Sequence, residues 1–121
     1  PVIIPEFLLK KIYQKGTLKK DENYVSFELK NILGPGFISG FNFVQINDKK
    51  FEAEYVTFIT DNTEVKGTDV SEEKPLKFRL GQKGTVKIAD NTCLQEGSNK
   101  IIIEIMNPEA GKVTVKFEDN L

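Results

Sequence analysis

The stretch LGPGFISGFNF, residues 33–43, is where the sequence comes closest to a chemical motif. Gly34, Gly36 and Gly40 stand in the order G-x-G-x-x-x-G, one residue longer than the dinucleotide fingerprint, and a strand pattern, FNFVQI, follows. Phosphate binding by such a loop depends on backbone amides at a helix N-terminus, and no lysine takes the P-loop position. These glycines are therefore expected to serve a turn or strand corner. Ser39, in GFISG, lacks the G-x-S-x-G spacing of a hydrolase elbow and is read as structural.

Histidine is absent from the sequence. That removes Ser-His and Cys-His catalysis and the usual zinc sites, and leaves Asp, Glu, Lys, Tyr, Cys93 and a terminal amine as chemical groups. Asp61, Glu64 and Asp69 do not have the spacing of an EF-hand loop and read as solvated turn residues. Glu52 with Glu54, placed by period two on one strand face, and Glu72 with Glu73 are carboxylate pairs for which exposure is the simpler account. Cys93, in DNTCLQEG, reads as an inert thiol. Pro1 offers a secondary amine able to act as a general base near neutral pH, but the βαβ pattern of the tautomerases that use one is missing. Pro1 is also compatible with a mature N-terminus left by removal of an initiator Met. No catalytic, cofactor-binding or metal-binding residue is assigned, and no cofactor is expected.

The elements that would position these groups are strands. Twelve Ile, nine Val and nine Phe stand against three Ala, a balance that suits a pleated surface. Val25, Phe27 and Leu29 alternate with polar residues; so do Leu76, Phe78 and Leu80, and Val113, Val115 and Phe117. NDKK, DNT, LGQKGT and MNPEAGK supply hairpins or tight corners, and Lys66 to Pro75 reads as an exposed loop. Strands are predicted over roughly 7–12, 24–32, 37–46, 51–60, 63–66, 76–80, 85–89, 100–106 and 112–118, although PEFLLKKI, opening on Pro5 and Glu6, suits a helix as well. IIIEIM, apolar on both faces, requires a central strand or a covered outer face. The expected fold is all-β: one antiparallel β-sandwich domain over residues 1–121, immunoglobulin-like or jelly-roll-like, with about 7–9 short strands.

Lys plus Arg number 17 against 18 Asp plus Glu, interspersed along the chain, and Arg79 is the single arginine. Nucleic acid, which needs a concentrated basic face, is not an expected partner. The apolar opening PVIIPEFLLKK is broken by Pro5 and Glu6 and is too short for a signal core or a membrane span, so no membrane role is expected. A single cysteine excludes an internal disulfide and fits a cytoplasmic setting.

The segments KKIYQKGTLKK, FELKN, ISGFNFVQINDKKFEAEYVTF, LKFRLGQKGTVKI, LQEGSNKIIIEI and AGKVTVKFEDN together cover most of the chain. In them the sequence resembles the small (beta) subunits of C-glycoside deglycosidases and uncharacterised archaeal chains of similar length. The resemblance implies an accessory role in glycoside chemistry, beside a larger TIM-barrel subunit that carries the catalytic residues. Similar archaeal chains also carry a hydroxymethylglutaryl-CoA reductase label; it is set aside because the sequence lacks the length and the nucleotide motif for that reaction.

Strong strand patterning with an empty catalytic inventory points to a non-catalytic subunit or interaction module, in a homo-oligomer or beside a larger protein subunit. Phe37, Ile38, Phe41 and Phe43 are the expected partner contacts, since one strand cannot hide them all on a single face. Phe41 and Phe43 share one face and Val44 and Ile46 the other, a switch that either a β-bulge or two-sided burial would explain. The alternatives are a small-ligand or carbohydrate-binding sandwich acting alone, and a small enzyme using Pro1.

Overall fold

A computed structural model of the chain describes residues 4–121. Pro1, with the reading attached to its amine, lies outside them. The first element of the described residues is a short helix, α1 (Glu6–Lys10), started by Pro5 and carrying an acid in its first turn and a lysine in its last. Eleven strands follow: β1 (Lys19–Lys20), β2 (Val25–Lys30), β3 (Gly36–Ile38), β4 (Gly40–Ile46), β5 (Lys49–Glu52), β6 (Val56–Thr60), β7 (Thr63–Lys66), β8 (Leu76–Phe78), β9 (Lys83–Ile88), β10 (Ser98–Asn107) and β11 (Gly111–Asn120). They form a five-stranded sheet, β1-β2-β9-β6-β7, a four-stranded sheet, β11-β10-β4-β5, and a two-stranded ribbon, β3-β8. Every pairing is antiparallel.

The two larger sheets face each other as a sandwich, and alternation fills the space between them. Val25, Phe27 and Leu29 of β2, Val86 and Ile88 of β9 and Phe58 of β6 meet Phe41, Val44 and Ile46 of β4 with Ile101 and Ile103 of β10. Phe27 and Phe58 are fully buried, each contributing about 2–3 kcal/mol of transfer free energy. The centroids of Phe41 and Phe58 lie 5.6 Å apart across the two layers. β10, which holds IIIEIM, runs centrally between β11 and β4, as its two apolar faces require. Residues 4–16 close one side of the sandwich: Tyr13 stacks on Phe117 at 3.7 Å and donates its hydroxyl proton to Asp119 over 2.5 Å.

Several expected strands differ from those found, each for a local reason. Residues 7–12 are not a strand, because Pro5 and Glu6 start a helical turn. The predicted strand 37–46 breaks at Ser39, whose N–H turns to the Met106 carbonyl at 2.8 Å, so β3 joins the ribbon and β4 a sheet. The predicted strand 51–60 breaks at a 3₁₀ turn, Ala53–Tyr55, which carries the chain from one sheet to the other. Glu52 and Glu54 consequently do not share a strand face. LGQKGT is a corner rather than a hairpin, since β8 pairs with β3 while β9 pairs with β2 and β6. Leu80 lies beyond β8 and is 59% exposed, contrary to its predicted place in the core. The two breaks, with the two-residue β1, raise the strand number above the expected nine.

Candidate functional site

The loop that follows β2 is tied down by one buried side chain. Asn31 donates from Nδ2 to the carbonyls of Gly34 (2.6 Å) and Phe78 (2.8 Å), and its Oδ1 accepts the N–H groups of Leu33 (3.0 Å) and Gly34 (3.4 Å). This is an Asx-type turn with its amide spent on tertiary contacts. Gly34 adopts φ 154°, where a side chain is strained; Gly36 and Gly40 sit in ordinary strand geometry. The glycines thus build a corner, with no helix at their end to bind phosphate. From the β10–β11 turn, Asn107 donates to the Phe37 carbonyl at 2.9 Å and accepts the N–H groups of Glu109 and Ala110.

Held between these two asparagines, the corner rims a cavity of about 380 Å³ that opens at one end of the sandwich. Leu29, Phe41, Phe78, Ile103 and Val115 form its depth, and Leu8 of α1 closes one wall. A second cleft, of about 570 Å³, adjoins it and shares Pro35, Gly36, Phe37, Asn107 and Glu109, adding Lys77, Arg79 and Leu80. Among the described residues no buried side-chain nitrogen or oxygen lacks a hydrogen-bond partner. The cavity lining is apolar apart from Asn31, Asn107 and Glu109, and the two asparagines spend their amides on backbone partners.

The four expected contact residues divide. Phe37 is 43% exposed and lines both cavity and cleft, while Ile38 and Phe41 are buried and line the cavity. A bulge at Asn42 shifts the β4–β10 register between Glu104 and Ile105, turning Phe41 inward with Val44. Phe43 faces outward and is half-buried beneath Lys50, whose Nζ lies 4.0 Å from the ring centroid. Leu33 and Leu80, 40% and 59% exposed, complete the rim and were not among the expected contacts.

The chemical candidates are dispersed. Asp61 pairs with Arg79 at 3.1 Å, Glu64 with Lys87 at 3.8 Å, and Asp69, Glu72 and Glu73 are exposed on the loop. Among the described residues no group of three or more acids or cysteines is placed to hold a metal ion. Burial, with Asp90 nearby, pushes the Cys93 thiol up to about 11. At Asp119 burial opposes ionisation, but the Tyr13 hydroxyl and the N–H groups of Gly16 and Asn120 outweigh it and hold the carboxyl below its usual range. Neither residue lines the cavity. Among the described residues no helix is long and apolar enough to cross a membrane.

A comparison with curated proteins gives no match. A family model does match, over residues 8–121, and its description is hydroxymethylglutaryl-CoA reductase, N-terminal domain. This overturns the resemblance to the small subunits of C-glycoside deglycosidases, and with it the implied role in glycoside chemistry. The segments behind that resemblance are strands and turns that any sandwich of this layout demands, so they carried architecture rather than ancestry. The reductase label, set aside for want of length and a nucleotide motif, returns in a form to which neither objection applies, since the match is to one domain. The chain belongs to the family of hydroxymethylglutaryl-CoA reductase N-terminal domains.

Proposed function

We propose that the chain is a single, non-catalytic accessory domain that docks on a larger protein subunit through the apolar rim of its cavity. One observation carries this reading: Leu33, Phe37 and Leu80, each at least 40% exposed, gather around the two adjoining openings. Large apolar side chains grouped in this way are the usual mark of a surface that another protein covers. Membership in a family described as one domain of an enzyme supplies the context. The cytoplasm is the setting we propose, in keeping with Cys93 as a buried free thiol.

The test is association with the remainder of the reductase from the same organism, followed by size-exclusion chromatography with light scattering at several concentrations. Phe37→Ser combined with Leu80→Ser should weaken the complex at least tenfold, since aromatic anchors at such rims contribute about 1.4 kcal/mol or more. A strict monomer that captures no reductase partner would overturn the reading. So would a complex indifferent to both substitutions. Self-association alone would assign the rim to a second copy of the chain instead.

A further inference from the structure

We infer that the cavity is a binding site for a single-chain amphiphile, with its hydrocarbon tail between the sheets and an anionic head, such as a carboxylate, in the adjoining cleft. This goes beyond the docking reading and does not depend on it. A volume of about 380 Å³, lined almost wholly by aliphatic and aromatic side chains, lies in the range of small-molecule sites. Empty apolar cavities of lesser size already take up apolar guests from water. Asn31 and Asn107 spend their amides on backbone partners, so nothing inside requests a polar ligand atom. A hydrocarbon chain meets that lining without leaving an unpaired group behind.

The head is assigned from the cleft. Lys77 and Arg79 line it together with Glu109. Arg79 is partly engaged by Asp61, whereas Lys77 makes no ion pair among the described residues. Asp61 balances Arg79, so Lys77 is the cation of the cleft lining left open to an anionic head, and Gly36 with Phe37 lies where cavity and cleft meet. A tail and head joined by one bond would cross at that point.

The probe is dodecanoate, titrated calorimetrically into the chain, with dodecanol as its uncharged counterpart. Saturable binding of one equivalent is expected, with amide shift changes at Leu29, Phe41 and Ile103 that locate the tail. Gly36→Leu should weaken both probes at least tenfold by filling the junction. A Cβ there has ordinary room, its nearest neighbours being Asn107 Nδ2 at 3.7 Å and the Gly34 carbonyl oxygen at 3.9 Å. Lys77→Glu should weaken dodecanoate about fivefold and leave dodecanol unchanged, in keeping with an exposed charge pair. The amide shifts of the unsubstituted chain serve as the readout if Gly36→Leu does not fold. Absence of saturable binding, or shifts confined to other surfaces, would overturn the site. Equal loss of both probes in Lys77→Glu would overturn the anionic head. Failure here with intact reductase association would leave the docking reading standing.

Discussion

Gly84, the second residue of β9, should tolerate no side chain, and the reason lies one strand away. A Cβ built there would stand 2.1 Å from Cζ of Phe58 and 2.7 and 2.8 Å from its two Cε atoms, where carbon contacts need about 3.5 Å or more. Gly84 pairs with Leu29 in regular register, so the backbone itself accepts alanine and the cost is steric. Phe58 cannot retreat easily. It is fully buried, with Phe78 edge-on at 5.3 Å and Phe41 at 5.6 Å, and both of those rings line the cavity. Gly84→Ala should therefore cost about 3 kcal/mol, the upper end of ordinary overpacking. With an unfolding entropy of about 2.1 cal/mol/K per residue over 121 residues, each kcal/mol shifts Tm by about 4 °C, which gives a fall of about 12 °C. Phe58→Leu removes the clashing ring atoms and alone costs about 1–2 kcal/mol. Added to Phe58→Leu, Gly84→Ala should cost less than about 1 kcal/mol, a coupling of about 2 kcal/mol in a double-mutant cycle read by thermal or urea unfolding. Additive losses, or a Tm change below about 4 °C for Gly84→Ala alone, would refute the reasoning.

Asn31→Ala should free the corner at Gly34 and cost about 2–3 kcal/mol, since it strips partners from the Gly34 and Phe78 carbonyls; hydrogen exchange should rise at Leu33 and Gly34 first. Tyr13→Phe should cost about 1.5–3 kcal/mol at pH 7 through the lost bond to the Asp119 carboxylate. The carboxyl of Asp119 is held below its unfolded value of about 3.9, so its contribution is complete above that pH and is lost as pH falls through the folded value. The stability gap between the parent chain and Asp119→Asn should accordingly be flat from pH 7 to 5 and close below about pH 4; a gap that widens in acid would contradict the sign. Cys93, 6% exposed and with its thiol raised to about 11, should react with a disulfide reagent at pH 8 only as the chain unfolds, and prompt native labelling would count against its burial.

The strands were readable because alternation is a local signal. Val25, Phe27 and Leu29 could be assigned to one face from their spacing alone, and the Asp61-Asn62 turn from residue types that accept positive φ; both residues adopt it, at 47° and 63°. What spacing cannot show is where a continuous apolar run changes sheets. FEAEYVTFIT reads as one strand, yet Ala53–Tyr55 winds into a 3₁₀ turn because Phe51 and Val56 are claimed by opposite layers of the core. The sign of the residues is local, whereas their destination is set by the partner strands. The bulge at Asn42 is the intermediate case: the conflict between the Phe41/Phe43 face and the Val44/Ile46 face is visible in the sequence, which leaves a bulge and two-sided burial open, and the pairing with β10 decides for the bulge.

The same limit explains why the cavity, with Leu33 and Leu80 at its rim, was invisible in the sequence. The chain leaves regular pairing at Ser39 to place β3 beside β8, and turns away again at Arg79, whose N–H bonds Gln82 Oε1 at 2.8 Å. Those two departures hold the ribbon off the end of the sandwich, and the space beneath it is the cavity. Strand periodicity marks such points only as interruptions. Aromatic residues beside a glycine corner were still a usable signal, because a corner limits how many neighbouring rings the core can absorb. Phe41 went inward and Phe37 stayed at the rim. A glycine-rich segment with no helix after it can therefore direct attention to an opening in the core for a physical reason unrelated to phosphate: where the chain must bend between layers, the layers do not fully close.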